Sequence, residues 1–209
     1  MRKVIIFLFV LIALFLASFT VTKLVISWLD DGYNYEGKNG EYRIDVKTVG
    51  ENITIYSPHV RRYNVEYIYN FRNKPEDLEE LYLEEGVIDK LNRPKGLNLI
   101  YVTRDPDLGN KTDNDVLIAA AGFEPILGTH DYSMYQVRIR NAYTKRIYPN
   151  TPKIDCRDVS ATDAVILMKL GEEERVYTNE NECIIIEGTD GKSLIRSAEK
   201  FGYHLIGVF

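Results

Sequence analysis

The longest apolar stretch of the chain lies at its amino terminus. Residues 4–22 carry no charge, and the apolar pattern resumes after Lys23. A helix rises about 1.5 Å per residue, so about 20 apolar residues cross a hydrocarbon core about 30 Å thick. The stretch has neither the polar face of a surface helix nor the alternation of a barrel strand. Residues 1–29 are therefore predicted to be a transmembrane signal-anchor helix that contacts the lipid bilayer through residues 4–22.

Charges beside this helix predict its orientation. Arg2 and Lys3 precede the apolar stretch, and positive residues favour the cytoplasmic side. The prediction is a single-pass protein of the cell membrane, with a cytoplasmic amino terminus and an extracytoplasmic carboxy-terminal domain. The alternative is a cleaved signal peptide, whose apolar core is usually about 7–15 residues long. The longer stretch found here favours the anchor, and either alternative places the remainder outside the cytoplasm.

The pattern changes after the anchor. Residues 30–41 are polar and glycine-rich, which is typical of a short tether. Residues 42–209 are enough for one extracytoplasmic α/β domain. Pro149 and Pro152 mark a connector, which leaves open a division into sub-lobes 42–145 and 153–209.

Several segments of this domain have strand patterns. Polar and apolar residues alternate in three segments that are predicted to form an antiparallel meander: 42–48, 52–56 and 63–71. Residues 97–103 and 115–121 are short apolar runs typical of buried central strands, and residues 134–140 are a candidate hairpin partner. Three further strands are predicted near the carboxy terminus: 164–170, 175–178 and 183–187.

Helical spacing occurs twice. Residues 75–92 place leucines and isoleucines near helical intervals, with Pro75 at the start and acidic residues in the first turns. Apolar residues between 194 and 208 repeat in the same way, and Thr189 or Asp190 is a candidate cap. The predicted fold class is therefore α+β, or mixed α/β, with two main helices.

Charge and composition exclude some classes of partner. The chain carries a net charge of −5, and since residues 1–29 contribute +3, residues 30–209 carry −8. An acidic domain without a basic stripe is not expected to bind nucleic acid. Charged residues make up 27% of the chain and Gln136 is its single glutamine, a composition that resembles heat-adapted proteins.

The two cysteines favour an oxidising compartment. Cys156 and Cys183 enclose about 26 residues, and a disulfide closing such a loop stabilises a domain by roughly 3 kcal/mol. We predict this disulfide; the alternative is two separate buried thiols. Asn52 and Asn110 begin glycosylation sequons, which matter only if the domain is extracytoplasmic.

One acidic loop is a candidate metal site. Asp105, Asp107, Asp113 and Asp115 lie within one loop, and Ca²⁺ binds about six to eight oxygen ligands of this kind. The spacing is not that of an EF-hand, and the same residue types form ordinary turns. The turn is the favoured interpretation, with calcium the alternative; no other cofactor is predicted.

Two functional hypotheses follow. The first is a non-enzymatic envelope protein that binds a protein partner in or on the membrane, since the sequence has no recognised catalytic motif and many tyrosines. The second is a membrane-anchored extracytoplasmic hydrolase, with or without a metal, using the loop from Asp105 to Asp115 and His130 as base. The hydrolase hypothesis requires these residues to converge in one cleft.

Overall fold

The computed structural model describes residues 31–50, 52–147 and 149–209. The predicted transmembrane helix at residues 4–22 lies outside these ranges. Within them, no helix is both long enough and apolar enough to cross a membrane. The described residues form a mixed α+β fold with two sheets and two main helices, which confirms the α+β part of the predicted fold class.

The first sheet is an antiparallel meander of four strands. Its strands lie in chain order: β1 (Tyr33–Gly37), β2 (Gly40–Val49), β3 (Ile53–Arg62) and β4 (Val65–Ile68). The predicted meander is confirmed, since every neighbouring pair is antiparallel. The segment predicted as a tether contains regular structure: its tyrosines alternate with polar residues, and Tyr33–Gly37 pairs with β2 as β1.

The second sheet has six strands and is mainly parallel. Its order is β5-β9-β10-β8-β6-β7, and only β9 and β10 are antiparallel neighbours. The strands are β5 (Tyr82–Leu83), β6 (Leu99–Arg104), β7 (Arg138–Tyr143), β8 (Asp163–Leu170), β9 (Arg175–Thr178) and β10 (Ile184–Gly188). Because β6 pairs with β8, the two sub-lobes left open by the sequence share one sheet.

The helices of the described residues are α1 (Leu108–Lys111), α2 (Asp115–Ala121), α3 (Glu124–Leu127) and α4 (Gly191–Leu205). The predicted carboxy-terminal helix is confirmed as α4. Asp190 caps it, because the Asp190 side chain accepts a hydrogen bond from the Ser193 backbone N–H at 2.8 Å. The Ser193 hydroxyl in turn accepts a hydrogen bond from the Asp190 N–H at 2.8 Å, which completes a capping box.

The predicted strand at residues 115–121 is wrong, since this segment forms α2. A short apolar run does not distinguish a buried strand from a helix, and three consecutive alanines favour the helix. Val116, Ala119 and Ala120 are buried while Leu117 is 55% exposed, which is the spacing of a helix face.

The predicted helix at residues 75–92 is also wrong. Two 3₁₀ turns, Pro75–Leu78 and Val87–Leu91, are separated by β5. Gly86 adopts a left-handed conformation with φ 76°, which interrupts any continuous helix. The acidic residues therefore border short turns instead of one amphipathic helix.

The strand predicted at residues 134–140 lies slightly later and pairs differently. It forms β7 at Arg138–Tyr143, and it runs parallel to β6. A parallel neighbour requires a long crossover, which the segment containing α1, α2 and α3 supplies. The predicted hairpin pairing is therefore wrong.

Helix α4 lies between the two sheets. Its Ser197 hydroxyl donates to the carbonyl of Glu187 on β10 at 2.7 Å. Its Tyr203 ring stacks on Phe71, which follows β4, with 3.9 Å between ring centroids. Apolar side chains from both sheets and from α2 to α4 form one core, whose largest buried members include Phe71, Phe123, Ile126, Leu127, Ile166, Met168 and Phe201.

The opposite face of the six-stranded sheet carries a smaller apolar cluster. Val165, Cys183 and Ile185 are buried there against the segment that returns after β7. The predicted disulfide is confirmed: Cys156 and Cys183 are bonded, with their Cα atoms 5.2 Å apart. It joins the 3₁₀ turn Cys156–Asp158 to the residue before β10 and so fixes this returning segment against the sheet.

Candidate binding groove

Three adjoining cavities lie over the carboxy-terminal end of α2. Their volumes are about 380, 460 and 250 Å³, and Ala121 lines all three. Leu117, Gly122 and Pro125 each line two of them. Because they share these residues, the cavities are neighbours around the end of α2, and we call the three together the α2 groove.

The floor of the groove follows from how α2 packs. Leu117 and Ala121 are four positions apart, so they lie on one face of the helix, turned away from the buried face. Gly122 ends α2 where its backbone closely approaches Gly202 of α4. Pro125 then lies in the first turn of α3. The chain thus presents small and apolar groups along the floor.

The walls come from the two sheets. One wall consists of Ile68 of β4 and Asn70, which lies two residues further along the chain. On the other side are Tyr132 of the loop after α3 and Ile139 of β7. The Tyr69 hydroxyl donates to the backbone carbonyl of Tyr132 at 2.9 Å and joins the two walls beneath the surface. Each wall therefore includes or adjoins an edge strand.

Three large apolar side chains at the groove are exposed. Ile68, Leu117 and Tyr132 are 50%, 55% and 56% exposed. Single exposed apolar residues are common on protein surfaces and need no explanation. Tyr132 lines one cavity with Leu117 and another with Ile68, so the three exposed side chains surround neighbouring cavities, and grouped exposed apolar side chains mark interaction sites.

One end of the groove is polar. Glu124, Thr129, His130 and Asn141 line its first cavity. The Oε1 atom of Glu124 is buried and has no hydrogen-bond partner among the described residues. Burial raises the pKa of Glu124, and the nearby Arg104 guanidinium partly offsets that rise. The carboxyl group can accept a hydrogen bond from an N–H or ammonium group that enters the groove.

The residues of the hydrolase hypothesis do not line the α2 groove together. His130 lines the groove and stacks on Tyr132, with 5.0 Å between ring centroids. None of the four loop aspartates lines the three cavities of the groove. The cleft that this hypothesis requires is therefore not formed around His130.

The loop aspartates have other surroundings. Asp105 accepts hydrogen bonds from Lys145 Nζ at 2.9 Å and from the Asp107 N–H at 3.0 Å, and both lower the pKa of Asp105. Asp115 packs against Gly191 at the start of α4, and Asp113 is exposed with φ 48°. Within residues 31–50, 52–147 and 149–209, no three His, Cys, Asp or Glu side chains are grouped to hold a metal. Calcium binding at this loop stays a prediction.

The asparagines of the two sequons are exposed. Asn52 is exposed at the turn between β2 and β3, and Asn110 is exposed on α1. Glycosylation of either residue stays a prediction. Neither residue lines the α2 groove.

The sequence analysis missed most of the groove. Leu117 was interpreted as part of a central strand, and Glu124, Ile68 and Tyr132 were not singled out. A helical interpretation of residues 115–121 would have revealed an apolar residue, Leu117, on the outward face. The contribution of Ile68 has no comparable indicator, because it depends on the approach of β4 to α2.

Comparison of the chain with protein-family models, with curated proteins and with solved structures gives no match. The class of protein therefore has to be inferred from the α2 groove and from the sequence itself.

Proposed function

We propose that this chain is a membrane-anchored, extracytoplasmic envelope protein that binds a segment of a partner protein in the α2 groove. The observation that carries the proposal is the exposure of Ile68, Leu117 and Tyr132 around neighbouring cavities that share lining residues. The apolar stretch at residues 4–22 supports the anchor. The disulfide between Cys156 and Cys183 supports an oxidising location.

The chemistry of the groove defines the occupant. Its apolar floor suits large aliphatic or aromatic side chains, which supply most of the binding free energy at protein interfaces. At its polar end lies the Glu124 carboxyl, whose Oε1 has no hydrogen-bond partner among the described residues, and such a group suits a lysine or arginine of the partner. The net charge of −8 on residues 30–209 favours a basic partner in the same way. We therefore propose a peptide segment that combines apolar anchors with a basic residue.

Binding explains the groove better than hydrolysis does. A hydrolytic site needs a base and its supporting groups around one reacting centre. In this structure His130 and the aspartates of residues 105–115 do not share the cavity. The exposed apolar residues of the groove, in contrast, would be buried when a partner segment binds.

The test is site-specific cross-linking of the full-length chain in its native membranes. A photo-reactive residue is placed at Leu117 or at Tyr132, and a third chain carries it at Tyr82 as the control. Tyr82 matches Tyr132 closely, at 58% exposure, but lies on β5 at the opposite edge of the six-stranded sheet. Both groove positions are expected to give one common protein adduct that the Tyr82 position does not give.

Two substitutions complete this test. Leu117→Asp and Glu124→Gln are expected to lower recovery of the cross-linked partner in mild-detergent co-purification at least five-fold, while the unfolding transition of the chain is retained. Absence of any adduct at the groove positions contradicts the proposal. Equal yields of the same adduct at Tyr82 contradict it as well, because they indicate contact without a specific surface.

A further inference from the structure

A basic segment interrupts the otherwise acidic domain. Residues 138–157 contain six lysines and arginines and one acidic residue, Asp155, which gives a net charge of +5. The remainder of residues 30–209 then carries −13, because the whole range carries −8. Such separation of charge within one domain creates a local positive potential.

Two of the six cations in this segment are neutralised within the fold. Lys145 pairs with Asp105 at 2.9 Å, and Arg157 pairs with Asp155 at 2.6 Å. The other four, Arg138, Arg140, Arg146 and Lys153, form no salt bridge with a carboxylate of the described residues. Four of the six cations are therefore not compensated by a salt bridge within the described residues.

Three of the uncompensated cations converge. Arg140, Arg146 and Lys153 line one cavity of about 380 Å³, and its remaining lining residues are all uncharged: Pro149, Asn150, Thr151 and Pro152. Like charges that share a cavity repel one another unless a counter-charge enters. The cavity is therefore suited to an anion.

The backbone fixes two of these cations. Arg140 lies within β7, where it pairs with Tyr101 of β6. Lys153 is held by a parallel bridge to Tyr143, with hydrogen bonds from Tyr143 N to Pro152 O at 3.2 Å and from Ile154 N to Tyr143 O at 3.0 Å. The charged groups thus extend from two adjacent, paired segments of backbone.

Two further contacts hold the returning segment beyond Lys153. The Thr103 hydroxyl donates to the carbonyl of Ile154 at 2.7 Å, and the disulfide at Cys156 follows two residues later. A site whose supporting backbone is fixed before binding loses less conformational entropy when the ligand enters. The segment therefore has the support that a binding site needs.

We propose that Arg140, Arg146 and Lys153 form a binding site for a phosphate-class anion. Guanidinium groups donate paired hydrogen bonds to phosphate oxygens, and the lysine ammonium adds a third positive charge. The phosphate comes either from the headgroup of an anionic lipid at the membrane surface or from free phosphate in solution. This site is separate from the α2 groove, since the lining residues of the two do not overlap.

Protection of an exposed sheet edge is the simplest competing explanation. Lysine and arginine on edge strands prevent association between sheets, and β7 lies at the end of its sheet. Edge protection requires charged side chains on the outer edge of the sheet. It does not require three cations to line one cavity whose lining contains no carboxylate. Edge protection alone also predicts no saturable binding of an anion.

The experiment uses the purified full-length chain in a non-ionic detergent. Inorganic phosphate is titrated calorimetrically at low ionic strength, and phosphatidylglycerol and phosphatidylcholine adducts are compared by native mass spectrometry. The test variant is Arg140→Gln, Arg146→Gln and Lys153→Gln combined. The control variant removes the same charge elsewhere through Lys47→Gln, Arg61→Gln and Lys95→Gln. Thermal unfolding shows whether both variants fold. If the triple test variant does not fold, the three substitutions are tested one at a time.

The wild type and the control variant are expected to bind at least ten-fold more tightly than the test variant. Saturable binding of inorganic phosphate assigns the site to free phosphate, and selective retention of phosphatidylglycerol without phosphate binding assigns it to a lipid headgroup. The proposal is overturned if neither probe binds the wild type, or if the test variant binds as well as the control variant.

Discussion

Glu199 of α4 accepts two hydrogen bonds from Asn73, one from its backbone N–H at 2.9 Å and one from its Nδ2 at 2.7 Å. Its other carboxylate oxygen accepts the backbone N–H of Arg72 at 2.7 Å. The Glu199 residue is only 2% exposed, so water does not replace these contacts. Burial raises the pKa of Glu199, while the three N–H donors oppose the rise. The contact fastens α4 to the chain that leaves the four-stranded sheet.

Replacing Glu199 with glutamine is expected to destabilise the fold. The amide group turns an N–H donor toward backbone N–H donors, which leaves at least one buried donor without an acceptor. We expect the free energy of unfolding to fall by about 1–3 kcal/mol, measured by urea denaturation of the purified chain. Glu180→Gln, at an exposed residue, is the control and is expected to change stability little. Equal stability of the two variants contradicts this role of Glu199.

Gly202 of α4 packs against the backbone at the end of α2. A Cβ atom at Gly202 would overlap the carbonyl oxygen of Gly122 and lie 2.8 Å from Phe71 Cε1. Gly202→Ala is therefore expected to destabilise the protein by about 1–3 kcal/mol, although alanine is the better helix former by about 1 kcal/mol.

The matched control for this change is Gly109→Ala on α1. A Cβ atom there would meet only the Asn114 side chain, at an ordinary contact distance of 3.5 Å. We expect that variant to be neutral or slightly stabilised. Thermal unfolding compares the two, and a Gly202→Ala variant that melts at or above the wild-type temperature disproves the close packing of α2 on α4.

Lys200 is expected to make stability depend on alkaline pH. Its Nζ donates to the carbonyl of Glu79 at 3.2 Å and lies 3.3 Å from the centroid of the Phe209 ring. Burial lowers the pKa of Lys200 from 10.5 to about 8. Between these values the unfolded chain binds more protons than the folded chain, so the contribution of Lys200 to stability rises with pH and is lost as pH falls through about 8.

The measurement compares wild type with Lys200→Met by urea denaturation at several pH values. As the pH rises from about 8 to about 10.5, the free energy of unfolding of the wild type is expected to increase relative to that of the variant. Titration of the tyrosines affects both proteins and cancels in the difference. A difference that stays constant over this range excludes the proposed depression of the Lys200 pKa.

The disulfide is expected to contribute substantially to stability. Cys156 and Cys183 are 27 residues apart in sequence, and closing a loop of that size stabilises a fold by about 3–4 kcal/mol in the chain-entropy model. Replacing both cysteines with serine should lower the free energy of unfolding by a similar amount, and the serine variant should be insensitive to reductant. Mass spectrometry of the chain from thiol-blocked native membranes checks that the bond forms in the cell. Recovery of two alkylated thiols contradicts both the bond and the oxidising location.

Local patterns were sufficient for much of the fold. Alternation predicted the meander, and the disulfide and the cap at Asp190 were recognisable from residue type and spacing. Sequence patterns were insufficient where a short apolar run fits either a strand or a helix. Residues 115–121 are apolar enough for a central strand, but their alanines and their burial follow a helix. In residues 75–92 the left-handed Gly86 outweighs the spacing of the leucines.

The two candidate sites could not be predicted from local sequence patterns, for a different reason. The α2 groove exists because Ile68 and Tyr132, 64 positions apart, border the same helix. The cationic cavity exists because the chain returns after β7 and places Lys153 beside Tyr143. Both depend on contacts between segments that no single window of sequence contains.

The position of α4 between the sheets has a consequence for the order of synthesis and folding. Lys38 N–H donates to the Val208 carbonyl and Tyr42 hydroxyl to the Gly207 carbonyl, each at 2.8 Å, so the earliest strands contact residues that are made about 170 positions later. Until α4 has left the ribosome, the inner faces of both sheets lack the helix that covers them. We therefore expect the core to be completed only after α4 has been made, in one late cooperative step.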